Sequence, residues 1–135
     1  MKTFFLRAKW LVHLASILMI SLIFMGKGMA NPQANSLVSL AEQGNLQGVK
    51  SLVEQGVDIE QRDSRQRTAL MAATHENHLE VARFLIEQGA DVNARDNMQD
   101  SPYLYAGARG LQEILILTLQ HGADLKSINR YGELL

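Results

Sequence analysis

Four consecutive residues, His75-Glu76-Asn77-His78, carry the groups that zinc hydrolysis uses: two imidazoles to hold a metal and a carboxylate to act as base. Their spacing is wrong for that chemistry. A zinc-binding helix sets its histidines four apart, on one face, and these are three apart. Asn77 also reads as a helix terminator, which puts His78 in the turn rather than on the helix. A metal-dependent enzyme using His75 and His78 with Glu76 is therefore the disfavoured alternative, and no catalytic residue, metal site or cofactor is expected. Asp58, Asp91 and Asp124 are a second chemically capable set, evenly spaced by 33 residues. Units stacked about 10 Å apart cannot share a calcium ion bound at about 2.3–2.6 Å. Short acidic side chains that close a recurring turn account for them.

That even spacing belongs to the whole chain. LVEQGVDIEQRD begins at Leu52, LIEQGADVNARD at Leu85 and TLQHGADLKSIN at Thr118, each 33 residues after the last. Gly56, Gly89 and Gly122 fall in register, as do Leu37, Leu70 and Tyr103, and Gly44, Asn77 and Gly110. A fixed period of this length marks a repeat array. Within a unit the order is helix, tight turn, helix, extended finger. Thr68 suits an N-cap, and Asn77, like Gly44 and Gly110, tolerates the left-handed conformation that ends a helix. The spacing predicts helices over about 36–43 and 46–55, 69–76 and 79–88, and 102–109 and 112–121.

TALMAATHENHLEVARFLIEQGADVNARD resembles an ankyrin repeat, and the likeness extends over roughly residues 34–133. The resemblance implies an all-α ankyrin-repeat solenoid of three helix-turn-helix repeats with extended finger loops. The units run 35–67, 68–100 and 101–133 after a short lead-in at 31–34. It also implies a structural role for His78, because a histidine at this place in the family hydrogen-bonds backbone. This chain departs from the pattern in two ways. The proline after the capping residue is present only as Pro102, and the histidine two residues later is Val38, Met71 or Leu104. The Thr–His link of consensus repeats is thus missing, and modest stability follows.

Residues 1–30 have a different character. Lys2, Arg7, Lys9 and Lys27 carry the only charges, an uncharged run LVHLASILMISLIFM spans Leu11 to Met25, and Gly28 and Ala30 stand two apart. Basic start, short apolar run and small-x-small exit describe a secretory signal peptide cleaved after Ala30. The protein is then periplasmic or secreted, in keeping with a resemblance to small exported ankyrin proteins of Gram-negative bacteria. Its zero cysteines leave folding to packing alone. The leader holds four of the thirteen basic residues and none of the fourteen acidic ones, so nine face fourteen in the remainder, near −5. That excludes the basic footprint of nucleic-acid or anionic-lipid binding.

In ankyrin-like proteins the finger tips and the exposed sites of each first helix line a concave partner-binding face. By position this face takes Arg62 to Gln66, Arg95 to Gln99 and Asn129 to Tyr131 from the fingers. The helices add Glu42, Gln43, His75, Glu76, Tyr105, Ala108 and Arg109. Arg65, Met98, Tyr105, Arg109 and Tyr131, with His75 and Glu76, are the candidate contacts, since aromatic, Met and Arg side chains dominate binding energy. The implied function is an exported, non-enzymatic protein-interaction module whose partner is a protein of unknown identity. A role as accessory, inhibitor or chaperone of a co-exported enzyme is the alternative. LQEILILTLQ, the last expected helix, is nearly all apolar, although a terminal repeat is expected to have a polar outer side. Two readings stay open for this end of the array: the product is cut short there, or the apolar end is covered by something else, self-association being one such cover. Tyr131 to Leu135 (YGELL) reads as the first five positions of a fourth repeat, with Leu134 in the capping place.

Overall fold

The computed structural model of the protein describes residues 35–133. The expected leader, the lead-in and the capping place given to Leu134 lie outside the described residues. Within them the chain forms three helix pairs: α1 (Leu37–Glu42) with α2 (Leu46–Glu54), α3 (Ala69–His75) with α4 (Leu79–Glu87), and α5 (Pro102–Arg109) with α6 (Gln112–Gln120). There is no strand among the described residues. Each helix lies within a residue of its expected end, because Gln43, Gln55, Glu76, Gln88 and His121 serve as C-caps rather than as last helical residues.

The starts follow from capping. Thr68 and Ser101 accept the N–H groups of Met71 and Leu104 at 3.3 and 3.2 Å, and Pro102 takes the first position of α5, where its missing N–H is no loss. The first unit departs from the period. Its register position is Asn35, yet Ser36 makes the cap, accepting from Ser39 N–H at 3.1 Å, and α1 begins one residue late. The turn between paired helices is left-handed, with φ of 69° at Gly44, 56° at Asn77 and 68° at Gly110. Asn pays for that conformation least among residues other than Gly, which is why it can replace Gly here.

The first helices α1, α3 and α5 pack side by side in one row, and α2, α4 and α6 form the second. Alanines at 41, 69, 72, 73 and 106, all fully buried, let the first-row backbones approach closely. Leu37, Leu70, Leu85, Val49, Val81 and Ile114 fill the space between the rows. Thr74 and Thr118 are buried too, their hydroxyls satisfied by donating to Leu70 and Leu115 carbonyls at 2.8 Å.

The fingers repeat bond for bond. Asp58, Asp91 and Asp124 each accept the N–H two residues on through Oδ1, as the turn reading requires. A second ladder, Asp63, Asp96 and Asn129, accepts two backbone N–H groups per Oδ1 at the base of each finger. Gln66, Gln99 and Gly132 take the tight left-handed step there, at φ of 61°, 66° and 79°. Neighbouring fingers are stapled by arginine. Arg62 Nη1 donates to Gln66 and Arg95 carbonyls at 2.8 and 2.6 Å, and Arg95 Nη1 repeats this on Gln99 and Ile128 at 3.3 and 3.4 Å.

At the far end the period fails in burial rather than in shape. Ile86 and Val92 are 6% and 4% exposed, whereas their third-unit counterparts Leu119 and Leu125 are 41% and 63% exposed. Ile116 and Ile128 are exposed beside them. The third unit thus offers a stacking face that nothing among the described residues covers.

Candidate functional site

His75 and His78 part company in three dimensions. His78 leans back on the first unit: its Nε2 donates to the Glu42 carbonyl at 3.0 Å, and its ring lies where a Cβ on Gly44 would stand, at 2.8 Å. His75 turns forward to the third unit and stacks on Tyr105, ring centres 3.9 Å apart and planes 15° from parallel. The two imidazoles are spent on opposite neighbours and do not converge. His78 is a tie between repeats, closing the last carbonyls of α1.

His75 belongs to the exposed face. Its Nε2 is enclosed and has no hydrogen-bond partner among the described residues. Burial, with the Arg67 charge adding, holds its pKa below the usual histidine value, although Asp96, Asp100 and Glu76 pull the other way. The ring is therefore favoured in its neutral form, as a flat platform for Tyr105. Tyr105 in turn carries Arg109: the guanidinium sits 5.5 Å from the ring centre and Nε donates to the phenol oxygen at 3.2 Å. These three side chains form a continuous strip across α3 and α5.

The third finger closes over this strip. Arg130 pairs with the nearly buried Asp100 carboxylate, which raises the Arg130 pKa, and its guanidinium lies 5.9 Å from the Tyr131 ring centre. Between finger and helix is a cleft of about 280 Å³, lined by Asp100, Tyr105, Arg109, Asn129, Arg130 and Tyr131. Tyr131 is 77% exposed at its rim.

Of the sequence candidates, Tyr105, Arg109 and Tyr131 thus meet in one place, and His75 supports them from behind. Met98 and Arg65 sit exposed on the second and first fingers, away from the cleft lining. Glu76, the exposed C-cap of α3, enters no ion pair among the described residues. Arg62 and Arg95, placed at the finger tips by their types, are structural staples. Asp100 and Arg130 carry no such signal: they pair across 30 residues rather than 33, off the period. Asp63, Asp96 and Asn129 were not singled out either, although their 33-residue spacing is the signal that could have found them.

Arg67 is the other feature that sequence did not single out. It is 4% exposed, with Nη1 on Glu42 Oε1 at 2.9 Å and Nε and Nη2 on Asp63 Oδ2 at 2.8 Å. It locks the first finger to the end of α1. Burial works against the Asp63 carboxylate, yet bonds from Arg67 backbone and side chain and from Arg65 N–H outweigh it and hold its pKa below the usual value.

Stacked helix pairs with repeating fingers and an uninterrupted core define a repeat scaffold, a class whose stacked units present an extended surface. The chain belongs to the ankyrin repeat family: the model for ankyrin repeats in three copies matches residues 37–129. It is similar to an ankyrin repeat domain from Acinetobacter baumannii AYE, at 54% identity and a TM-score of 0.70, over 73% of this chain and 50% of that one. A second solved ankyrin repeat protein is 39% identical, with a TM-score of 0.69, over 75% of this chain and 52% of the other. The chain thus spans about half the length of the solved structures it matches. No curated protein matches it. Ankyrin repeats are, in general, protein–protein interaction modules.

Proposed function

We propose that the protein is an exported, non-enzymatic interaction module that docks a partner protein on the face made by its fingers and first helices. One observation carries this reading. His75, Tyr105, Arg109, Arg130 and Tyr131 form a continuous aromatic and cationic surface. Of the other arginines of this face, Arg62, Arg67 and Arg95 hold the scaffold, and Arg65 stands exposed on the first finger. Side chains of this kind supply most binding energy at protein interfaces. Met98 and Arg65 extend the surface along the neighbouring fingers, and Glu76 adds one acidic position at the end of α3. The charge after the leader, near −5, gives no footprint for nucleic acid.

A photo-crosslinking residue placed at Met98 is expected to capture a partner in the cells that make the protein, and one placed at Arg83 on α4 is not. The combined substitution Tyr105→Ala and Arg109→Ala should weaken the captured complex at least tenfold. An unchanged affinity refutes the assignment of the face. Export is tested by the mature N-terminus, expected at Asn31. A second reading rests on the exposed Leu119, Leu125, Ile116 and Ile128: the protein self-associates through that end of the array. Sedimentation should then show a mass that rises with concentration in the parent and stays monomeric in Leu119→Lys with Leu125→Lys.

A further inference from the structure

We propose that the cleft between α5 and the third finger is a carboxylate subsite, and that the partner segment it takes is an acidic peptide. This rests on the docking face inferred above and names the chemistry that the face selects. Charge distribution is the first support. Second helices and exit turns hold eight of the fourteen acidic residues and only Lys50, Arg83 and Lys126 of the basic ones after the leader. First helices and fingers hold the other six acids and six basic residues, every one an arginine. The formal charge near −5 therefore lies off the docking face, which is itself neutral.

The arginines of that face are not equivalent. Arg62 and Arg95 are spent on carbonyls, Arg67 on Glu42 and Asp63, and Arg65 stands exposed on the first finger, outside the cleft lining. Arg109 meets only the Tyr105 phenol oxygen, through Nε, and pairs with no carboxylate among the described residues. Arg130 is held by Asp100, whose carboxylate cancels one of the two guanidinium charges and leaves the cleft with one positive charge. One positive charge suits a single carboxylate. A nucleic-acid strand, with a phosphate at every step, would meet the acidic remainder of the domain. The tyrosine ring beside each guanidinium gives an apolar wall for the methylenes of an Asp or Glu side chain and for its neighbours.

The third support is where the repeat stops repeating. At the four positions filled here by Tyr105, Arg109, Arg130 and Tyr131, the second unit has Ala72, Glu76, Asn97 and Met98. The first has Ser39, Gln43, Ser64 and Arg65. Neither earlier unit can bind a carboxylate between two guanidinium groups, so the subsite is particular to the third.

The test uses protein purified after expression of the full chain and a display library of random dodecapeptides as probe. Selected peptides are expected to share an Asp or Glu beside an apolar or aromatic residue. Replacing that acid by its amide should weaken the synthesised peptide at least tenfold, as should Arg109→Gln, while Arg83→Gln leaves binding as it was. Arg130→Gln should act the same way, and Arg109→Gln keeps the experiment decisive if that variant folds poorly, because Arg109 holds no acid of the scaffold. Selected peptides without an acidic residue, or acidic peptides indifferent to Arg109→Gln, overturn the subsite. The docking face is judged separately by crosslinking. Capture at Met98 with a failed peptide test leaves the face standing and the carboxylate reading refuted; capture only at Arg83 refutes both.

Discussion

Replacing Arg67 by Met should cost the domain about 2–3 kcal/mol. Met keeps the length and the apolar stem and removes the fork that joins finger one to α1. Two charged contacts disappear, and they are unequal. Glu42 is 39% exposed, so its pair is screened by water and salt and contributes at most about 1 kcal/mol. Asp63 is 21% exposed and loses a doubly donated bond to one oxygen. Charged hydrogen bonds of this kind are worth about 1.5–3 kcal/mol each, and partial hydration of the freed carboxylate returns some of that. Against a stability of about 5–15 kcal/mol for a domain of this size, the urea midpoint should fall by about 1–2 M. Asp63 adds a pH signature. Its folded pKa is depressed, so its contribution is present above the unfolded value of about 3.9 and is lost as pH falls through the folded one. That acid limb should shrink in Arg67→Met. The double variant Asp63→Asn with Arg67→Met should be milder than the sum of the two singles by about 1 kcal/mol or more. A midpoint within about 0.3 M of the parent, or strict additivity, would show that the buried guanidinium does not hold the first finger.

Three further outcomes follow from the same geometry. Gln66→Gly and Gln99→Gly should each stabilise by about 0.5–1 kcal/mol, because a left-handed residue with a side chain costs about 1–2 kcal/mol and glycine returns part of that as chain entropy; a lower melting temperature in either would contradict it. Gly44→Ala should destabilise by about 1–3 kcal/mol, since its methyl group meets the His78 ring and φ is 69°. Gly110→Ala, with the same φ and open space around it, should lose less, and equal losses would remove the ring from the explanation. His75 has a depressed pKa from burial, with Arg67 adding, so its contribution is full above about 6.5 and is lost as pH falls through the lower folded value. His75→Phe keeps a ring on Tyr105 and should flatten the fall in urea midpoint between pH 7.5 and 5; an unchanged fall would place the titration elsewhere.

Helix positions, turns and the acidic ladder at Asp58, Asp91 and Asp124 were legible because each is a local consequence of a repeated pattern. Capping was legible to within a residue. Asn35 and Ser36 can both cap, and only the backbone geometry gives the role to Ser36. Side-chain direction was not legible. Arg62 and Arg65 are three apart on one finger, yet Arg62 is a staple on two carbonyls and Arg65 is exposed. The stack of His75 on Tyr105 and the pair of Asp100 with Arg130 both span 30 residues. A register of 33 pairs each residue with its own counterpart and so conceals contacts made one helical turn off it.

The same concealment separates scaffold from site. Positions that shape each finger or staple it to the next meet the same backbone each time, so they keep their type: Asp58, Asp91 and Asp124 in the turns, Arg62 and Arg95 between fingers, whereas His78 and Arg67 each tie one junction alone. A binding position has no such obligation within the array, because its neighbour is a different molecule. Tyr105, Arg109, Arg130 and Tyr131 break the pattern together, on two elements that touch, while the finger bonds around them stay periodic. A random departure from the repeat would scatter over core, caps and loops and would lower packing. These four leave Leu104 and Ala106 as buried as Met71 and Ala73 in the preceding unit. The departure is confined to the exposed side of an intact repeat, which is where selection for a partner can act without loss of fold.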